Sequence, residues 1–272
     1  MGPREGLIGV DKGDLNPMPT LTFNAFQLKW IAIIGMVFNH ISIAFDAVLP
    51  LWLDIPIYAA GGLTFPIMAY FAVEGYRHTR SLENYTGRLV LFGLIALPFH
   101  ALVFGGWGLN IMFTIVVGLC CLWLHDNMTN RRMQWQFWLL FAGILGLMAW
   151  QPIHFDWSVI GVAMMMLAHV LRQENLRRVL PALIAAGFWT LPAILSFDPT
   201  SLSIFTVVFA LGSLLAALLL HQYNGQRGRR MKWAFYIAYP AHLAAIGLAA
   251  LAFDLVALPP LPDFLSFLPW LS

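Results

Sequence analysis

Residues 28–49, LKWIAIIGMVFNHISIAFDAVL, decide the fold class. As a helix this stretch is long enough to cross about 30 Å of hydrocarbon. It nevertheless carries Lys29 at its start, Asn39 and His40 inside it, and Asp46 toward its far end. Ionisable groups at membrane depth are costly, so each is a functional candidate by default. Lys29 and His40 are 11 positions apart. At 100° per residue they share a stripe, about 20° apart around the axis and roughly 16 Å apart along it.

The rest of the chain has the composition this stretch implies. Of 272 residues, 60% are hydrophobic and 10% charged, with a mean hydropathy of +0.75. A soluble surface needs about a quarter of its residues charged, so the chain reads as a polytopic membrane protein. The net charge of +2 and the lack of a basic run interleaved with aromatics argue against nucleic-acid binding. Cys120 and Cys121 are adjacent in an apolar run and fit neither a disulfide framework nor a metal-ligand spacing.

Hydropathy gives nine expected spans: 28–49, 57–78, 87–104, 109–125, 134–151, 157–171, 179–197, 201–222 and 232–252. The fold expected is therefore all-α, a membrane helix bundle of about nine transmembrane helices. Residues 1–27 form a polar N-terminal segment without the features of a signal peptide. Residues 28–252 make the bundle, and 253–272 an apolar tail broken by Pro259, Pro260, Pro262 and Pro269 that suits an interfacial or re-entrant cap. If the spans alternate, all 15 Lys and Arg fall on one side, which the positive-inside rule assigns to the cytosol together with the N-terminus. On that register His40 and His242 lie at similar depth, about 16 Å and 15 Å from the cytosolic ends of the first and last spans.

Two further constellations bear on chemistry. In residues 73–80, VEGYRHTR, Glu74, Arg77 and His78 stand at i, i+3 and i+4 on one helix face, and Arg80 and Arg88 follow. Guanidinium forks suit phosphate, so this end is expected to take a polyanionic ligand arriving from the cytosol, although arginine there also satisfies topology alone. In residues 232–243, KWAFYIAYPAHL, Pro240 leaves the Tyr236 carbonyl free, and Tyr236, Tyr239 and His242 lie near the break. His100, Asn110 and Thr114 are expected mainly as helix-packing groups, and the eight histidines offer no short-range spacing for a metal.

An ordered series of motifs then resembles the TraX family, the conjugal pilin acetylases: residues 28–40, LKWIAIIGMVFNH; 65–80, FPIMAYFAVEGYRHTR; 110–118, NIMFTIVVG; 156–162, DWSVIGV; and 232–243. The family is distantly similar to acyltransferase-3 membrane enzymes, where a basic residue precedes a first-helix histidine by the interval between Lys29 and His40. The chain departs from these patterns in having Lys29 in place of Arg, and Asn39 before His40 in place of Asp. The resemblance implies a multi-pass protein of the bacterial inner membrane that transfers acetyl from acetyl-CoA to an amine acceptor, a pilin N-terminus or another exported or membrane acceptor. It needs no metal. His40 is then the general base, Asn39, Tyr239 and His242 are candidates to hold the thioester carbonyl or its oxyanion, and Lys29, Glu74, Arg77, His78, Arg80 and Arg88 are candidates to bind acetyl-CoA. Three other readings compete: a membrane O-acyltransferase acting on a lipid or glycan, a non-enzymatic transporter or flippase, and a structural assembly factor for a pilus.

Overall fold

The structure is a computed structural model that describes residues 22–150, 154–196 and 203–259. Arg4, Lys12, Asp198 and most of the expected N-terminal segment and C-terminal tail lie outside the described residues. The described residues form nine helices: α1 Ala25–Phe45, α2 Leu51–His78, α3 Leu82–Phe104, α4 Ile111–Asn127, α5 Arg131–Trp150, α6 Ser158–Val170, α7 Glu174–Leu195, α8 Ile204–His221 and α9 Lys232–Ala252. Six of them (α1, α2, α3, α5, α8 and α9) are long and apolar enough to cross a membrane. α4 and α6 are shorter apolar helices, and α7 opens with Glu174, Arg177 and Arg178.

Helix starts account for most differences from the hydropathy boundaries. Asn24 caps α1 through a capping box with Gln27, and Ser81 caps α3 by accepting from the Asn84 amide. Both caps begin the helix earlier than its apolar run, because a side-chain oxygen satisfies amides that the first turn leaves unpaired. The shift changes the depth of the first-helix histidine. Counted from Ala25, His40 is about 22 Å from the N-terminal end of α1 and about 8 Å from its other end, so it sits in the far half of the helix. Asp54 also moves, from an expected loop into the first turn of α2, where it is buried and accepts from the Ser42 hydroxyl.

Contacts between loops define two ends of the bundle. At one, the Ala25 amide donates to Gln226 O, Arg77 reaches His169 O, Tyr76 reaches Asp126, and Arg178 reaches Tyr223 O. The start of α1 and the α2–α3, α4–α5, α6–α7 and α8–α9 connections therefore share this end. At the other, Leu109 and Phe155 bridge the α3–α4 and α5–α6 connections. Every described Lys and Arg belongs to the first, basic end.

Helix proximity is set by small residues, since apolar side chains gain nothing from leaving lipid. α2 and α8 cross at Gly62 and Gly212. A Cβ on Gly62 would stand 1.9 Å from Phe209 O, and one on Gly212 2.0 Å from Ala59 O. Within that crossing Ser213 Oγ donates to Gly62 O at 2.9 Å. This is the carbonyl that Pro66, having no N–H, cannot serve. α2 thus stays continuous through Pro56 and Pro66, as do α3 through Pro98 and α9 through Pro240. Many large apolar side chains, among them Ile34, Leu91, Leu139, Leu211 and Leu248, remain exposed around the bundle, the surface that lipid would cover.

Candidate functional site

α1, α3 and α9 bring three histidines together. His40 Nδ1 lies 2.7 Å from His242 Nε2, with the rings stacked at 4.9 Å between centroids. His242 Nδ1 is 2.7 Å from Ala238 O on its own helix. A carbonyl can only accept, so His242 carries its proton on Nδ1, and in the neutral ring Nε2 is left as an acceptor. His40 must then donate from Nδ1. The one imidazole nitrogen that this chain of bonds leaves with a lone pair is His40 Nε2, so two bonds fix both tautomers. His40 is 6% exposed and packs edge-on against Phe104 at 5.3 Å, which in turn stacks on His100 at 4.4 Å. His100 is equally buried, and its Nδ1 makes no hydrogen bond.

Tyr239 flanks the pair, its ring 5.6 Å from that of His242. Its hydroxyl is buried without a hydrogen-bond partner of ordinary geometry and sits beside the Ile111 amide at the start of α4. Asp156, in the α5–α6 connection, is close enough to interact electrostatically with that phenol. Burial pushes the Asp156 carboxyl up to about 6, with the Trp157 amide opposing the shift. The next residue, Trp157, takes φ +59° and packs its ring against Phe65 at 4.7 Å. A left-handed tryptophan is costly, and here it turns the chain into α6 beside the buried carboxylate. The site therefore holds a free imidazole lone pair on His40, an unbonded imidazole nitrogen on His100 and one uncommitted hydroxyl donor on Tyr239, on the side away from the basic end.

The remaining sequence candidates separate into two groups. Lys29 lies over the rings of Phe71 and Phe235, at 5.1 and 5.5 Å, and close to Arg227. Arg88 lies over Tyr236 at 5.6 Å, and its Nε has no partner. These cations surround the basic ends of the same three helices that carry the histidines. Arg80, in the α2–α3 turn, is exposed.

The α2 end is tied differently. Glu74 pairs with Arg177 at 2.7 Å, Arg77 donates to His169 O at 2.7 Å, and His78 Nδ1 donates to Glu74 O at 2.8 Å. Glu74 and Arg77 thus face α7 and α6, whereas His78 is exposed and bonds back to its own helix. Asn39 also departs from its expected place. It turns to α2, where its amide donates to Tyr58 O at 3.4 Å and its side chain fills the space over Gly61, because adjacent residues on a helix point about 100° apart.

Sequence spacing missed several groups that the fold assembles. In the sequence Arg177 is just one of the one-sided cations, yet it is 6% exposed and uses Nε on Ala168 O, Nη1 on Glu174 and Nη2 on Glu74. Tyr70 donates to Glu174 at 2.8 Å in the same network. His125, Asp126 and His169 come within 4.8 Å of one another. The reading that no histidines form a ligand set rested on short-range spacing, which cannot see a contact made between α4 and α6. Asn110 and Thr114 make packing bonds to Gly93 O and Asp156 O.

The family model described as TraX protein matches residues 25–250, which takes in α1 and all but the last two residues of α9. Over 245 residues the chain is 30% identical to the probable fimbrial assembly protein FimC, serogroup H1, of Dichelobacter nodosus, an alignment that covers 83% of this chain and 95% of that protein. No solved structure matches. With the histidines of α1 and α9 both inside the matched region, the chain belongs to the TraX family.

Proposed function

We propose that this protein is a membrane acetyltransferase that moves an acetyl group from acetyl-CoA to an amine of a pilin or fimbrial subunit. The observation that carries the reading is the relay from Ala238 O through His242 to His40. It leaves a single imidazole nitrogen, held in a fixed tautomer and enclosed by aromatic rings, free to accept a proton. Family membership supports pilus-related acyl transfer, and the name of the Dichelobacter relative, a probable fimbrial assembly protein, supports the class of acceptor.

The chain is oriented with its basic end in the cytosol of a bacterial inner membrane and with all nine helices in the bilayer, in keeping with the positive-inside rule. Lys29, Arg88 and Arg227, with Arg80 nearby, hold the CoA phosphates at that end. These replace Glu74, Arg77 and His78 in that role, since Glu74 and Arg77 are engaged with α7 and α6 and His78 with the Glu74 carbonyl of its own helix. The thioester arm runs between α1, α3 and α9 toward the histidine pair, and the acceptor amine enters from the opposite end, past Asp156. His40 Nε2 takes the proton as the amine nitrogen bonds to the thioester carbon. The Tyr239 hydroxyl donates to the carbonyl oxygen as it gains charge. The C–S bond breaks, CoA leaves as its thiolate, and the proton on His40 returns to the sulfur.

The test is direct. Full-length protein reconstituted in lipid vesicles, given acetyl-CoA labelled in the acetyl group and a purified pilin subunit, should transfer the label to the subunit's N-terminal amine and release free CoA. Substrate movement across the vesicle without thioester loss would replace this reading with transport. Label found on lipid or glycan hydroxyls would replace it with O-acylation.

A further inference from the structure

The basic end of the bundle holds a second histidine cluster, one the proposed acetyl transfer does not use. His125 and Asp126 stand in the last turn of α4, and His169 in the last turn of α6. Their ligand-type atoms lie within 4.8 Å of one another. His169 Nε2 and His125 Nδ1 approach the same oxygen, Asp126 Oδ1, at 2.7 and 3.2 Å. The other carboxylate oxygen, Oδ2, accepts from the Tyr76 hydroxyl at 2.8 Å. Two imidazoles and a carboxylate converge from two helices, and a phenol on a third holds the carboxylate in place.

We propose that His125, Asp126 and His169 form a binding site for a divalent transition-metal ion of the zinc class. Two nitrogens and one carboxylate oxygen are the donor set that such ions take, and Tyr76 supplies the outer hydrogen bond that orients a ligating carboxylate. The surroundings favour a cation as well. α2 ends at His78, α4 at Asn127 and α6 at Val170, so the negative ends of three helices flank the cluster.

His169 presents Nε2 to the cluster from a side chain only 9% exposed, so packing holds that ligand atom in place. Asp126, with a side chain 42% exposed, leaves the cluster open to water. An ion could therefore enter and keep one or more positions for water or an anion. The opposing charge is Arg77, whose guanidinium is on His169 O. Binding must therefore come from the three ligands themselves, and the ion pins α4 to α6.

The test uses full-length protein in detergent, freed of metal by chelator and titrated with Co2+ as a visible probe of the zinc coordination sphere. One equivalent should bind with ligand-field absorption bands that Zn2+ displaces, and Zn2+ should raise the melting temperature by mass action. His169→Gln and His125→Ala should each weaken Co2+ binding by at least about 100-fold, the upper range for loss of groups one shell further out. His78→Ala, a histidine of the same end outside the cluster, should bind Co2+ like the parent. If His169→Gln does not yield folded protein, His125→Ala, at the more exposed position, decides. Absent bands in the parent, or unchanged affinity in both His125→Ala and Asp126→Asn, would overturn the proposal.

Discussion

Two polar regions sit against apolar helix faces in this bundle, and they end differently. In the network of Glu74, Arg177, Glu174, Arg178 and Tyr70, each charge meets an opposite charge, and Arg177 has every nitrogen bonded. In the histidine cluster, bonds run in one direction from Ala238 O to His242 to His40 and stop, and Tyr239 and His100 each keep a buried atom with no partner. A closed network holds helices in place. An open one stores hydrogen-bonding capacity that a ligand can use, at a cost of roughly 1–3 kcal/mol for each buried group left unmet. Under the proposed function, that contrast puts structure in the α2–α6–α7 corner and the acetyl transfer in the space between α1, α3 and α9.

The sharpest way to break the contrast is at His40. His40→Gln keeps a hydrogen-bonding side chain but cannot take and release a proton near neutrality. Acetyl transfer at matched protein levels should fall by roughly 10²- to 10⁴-fold, the range for loss of a general base, while thermal stability in detergent changes little. His242→Ala should produce a large part of the same loss, because His40 then lacks the acceptor that fixes its tautomer. Activity of His40→Gln within a few fold of the parent would return both histidines to packing.

The opposite pattern is expected at Arg177. Arg177→Met leaves Glu74 without its partner at 2.7 Å. Removing one member of a buried pair costs about 3–5 kcal/mol, and the low end applies because the Glu174 side chain is 44% exposed. Denaturant midpoints should drop, and activity per folded molecule should stay near the parent's. A selective loss of turnover with stability unchanged would move Arg177 into the catalytic region and erase the distinction.

Much of this was legible in the amino-acid sequence, because the bilayer imposes strong local constraints. Each of the nine hydropathy spans overlies one of the nine described helices, with starts displaced by up to six residues, and six of those helices are long and apolar enough to cross a membrane; one-sided Lys and Arg marked the end where the loops meet. His40 and His242 stood out separately by depth. Their pairing did not, since a contact across 202 positions leaves no local periodicity. The same limit hid Arg177 and the His125–Asp126–His169 group. Glu74, Arg77 and His78 looked like one ligand-facing surface because i, i+3 and i+4 spacing reports a shared helix face and says nothing of which neighbour covers it. Asn39 was grouped with His40 by adjacency alone, whereas successive helical residues face different neighbours.

A smaller effect is expected where the proposed site would meet acetyl-CoA. Arg88→Gln and Arg227→Gln remove cations at the basic ends of α3 and α9 without touching the histidines. Each should raise the KM for acetyl-CoA several-fold, about 1 kcal/mol for a partly hydrated charge contact, and leave kcat nearly constant, the signature of lost uniform binding. Arg77→Gln serves as the contrast, because that guanidinium is engaged on His169 O. Equal KM changes in Arg77→Gln and Arg88→Gln would show that the two ends of the basic face are not distinct.

The smallest predicted effect concerns a satisfied group with no charge at all. Pro66 deprives Gly62 O of its helical donor, and Ser213 supplies one from α8 at 2.9 Å. Ser213→Ala should therefore lower unfolding free energy by about 0.6 kcal/mol, the average for hydrogen bonds between membrane helices. The methyl of Ala fits where the serine Cβ already sits, so no clash with α2 confuses the reading. Pro66→Ala restores an N–H four residues after Gly62 and gives that carbonyl a partner inside α2. In that background the serine hydroxyl is surplus, and Ser213→Ala should cost measurably less than it does beside proline. A double-mutant cycle read by unfolding in mixed detergent isolates the coupling. Strict additivity of the two changes would mean that Ser213 acts through packing alone, and that a proline-freed carbonyl in this bundle can stay unmet without the penalty argued for the histidine cluster.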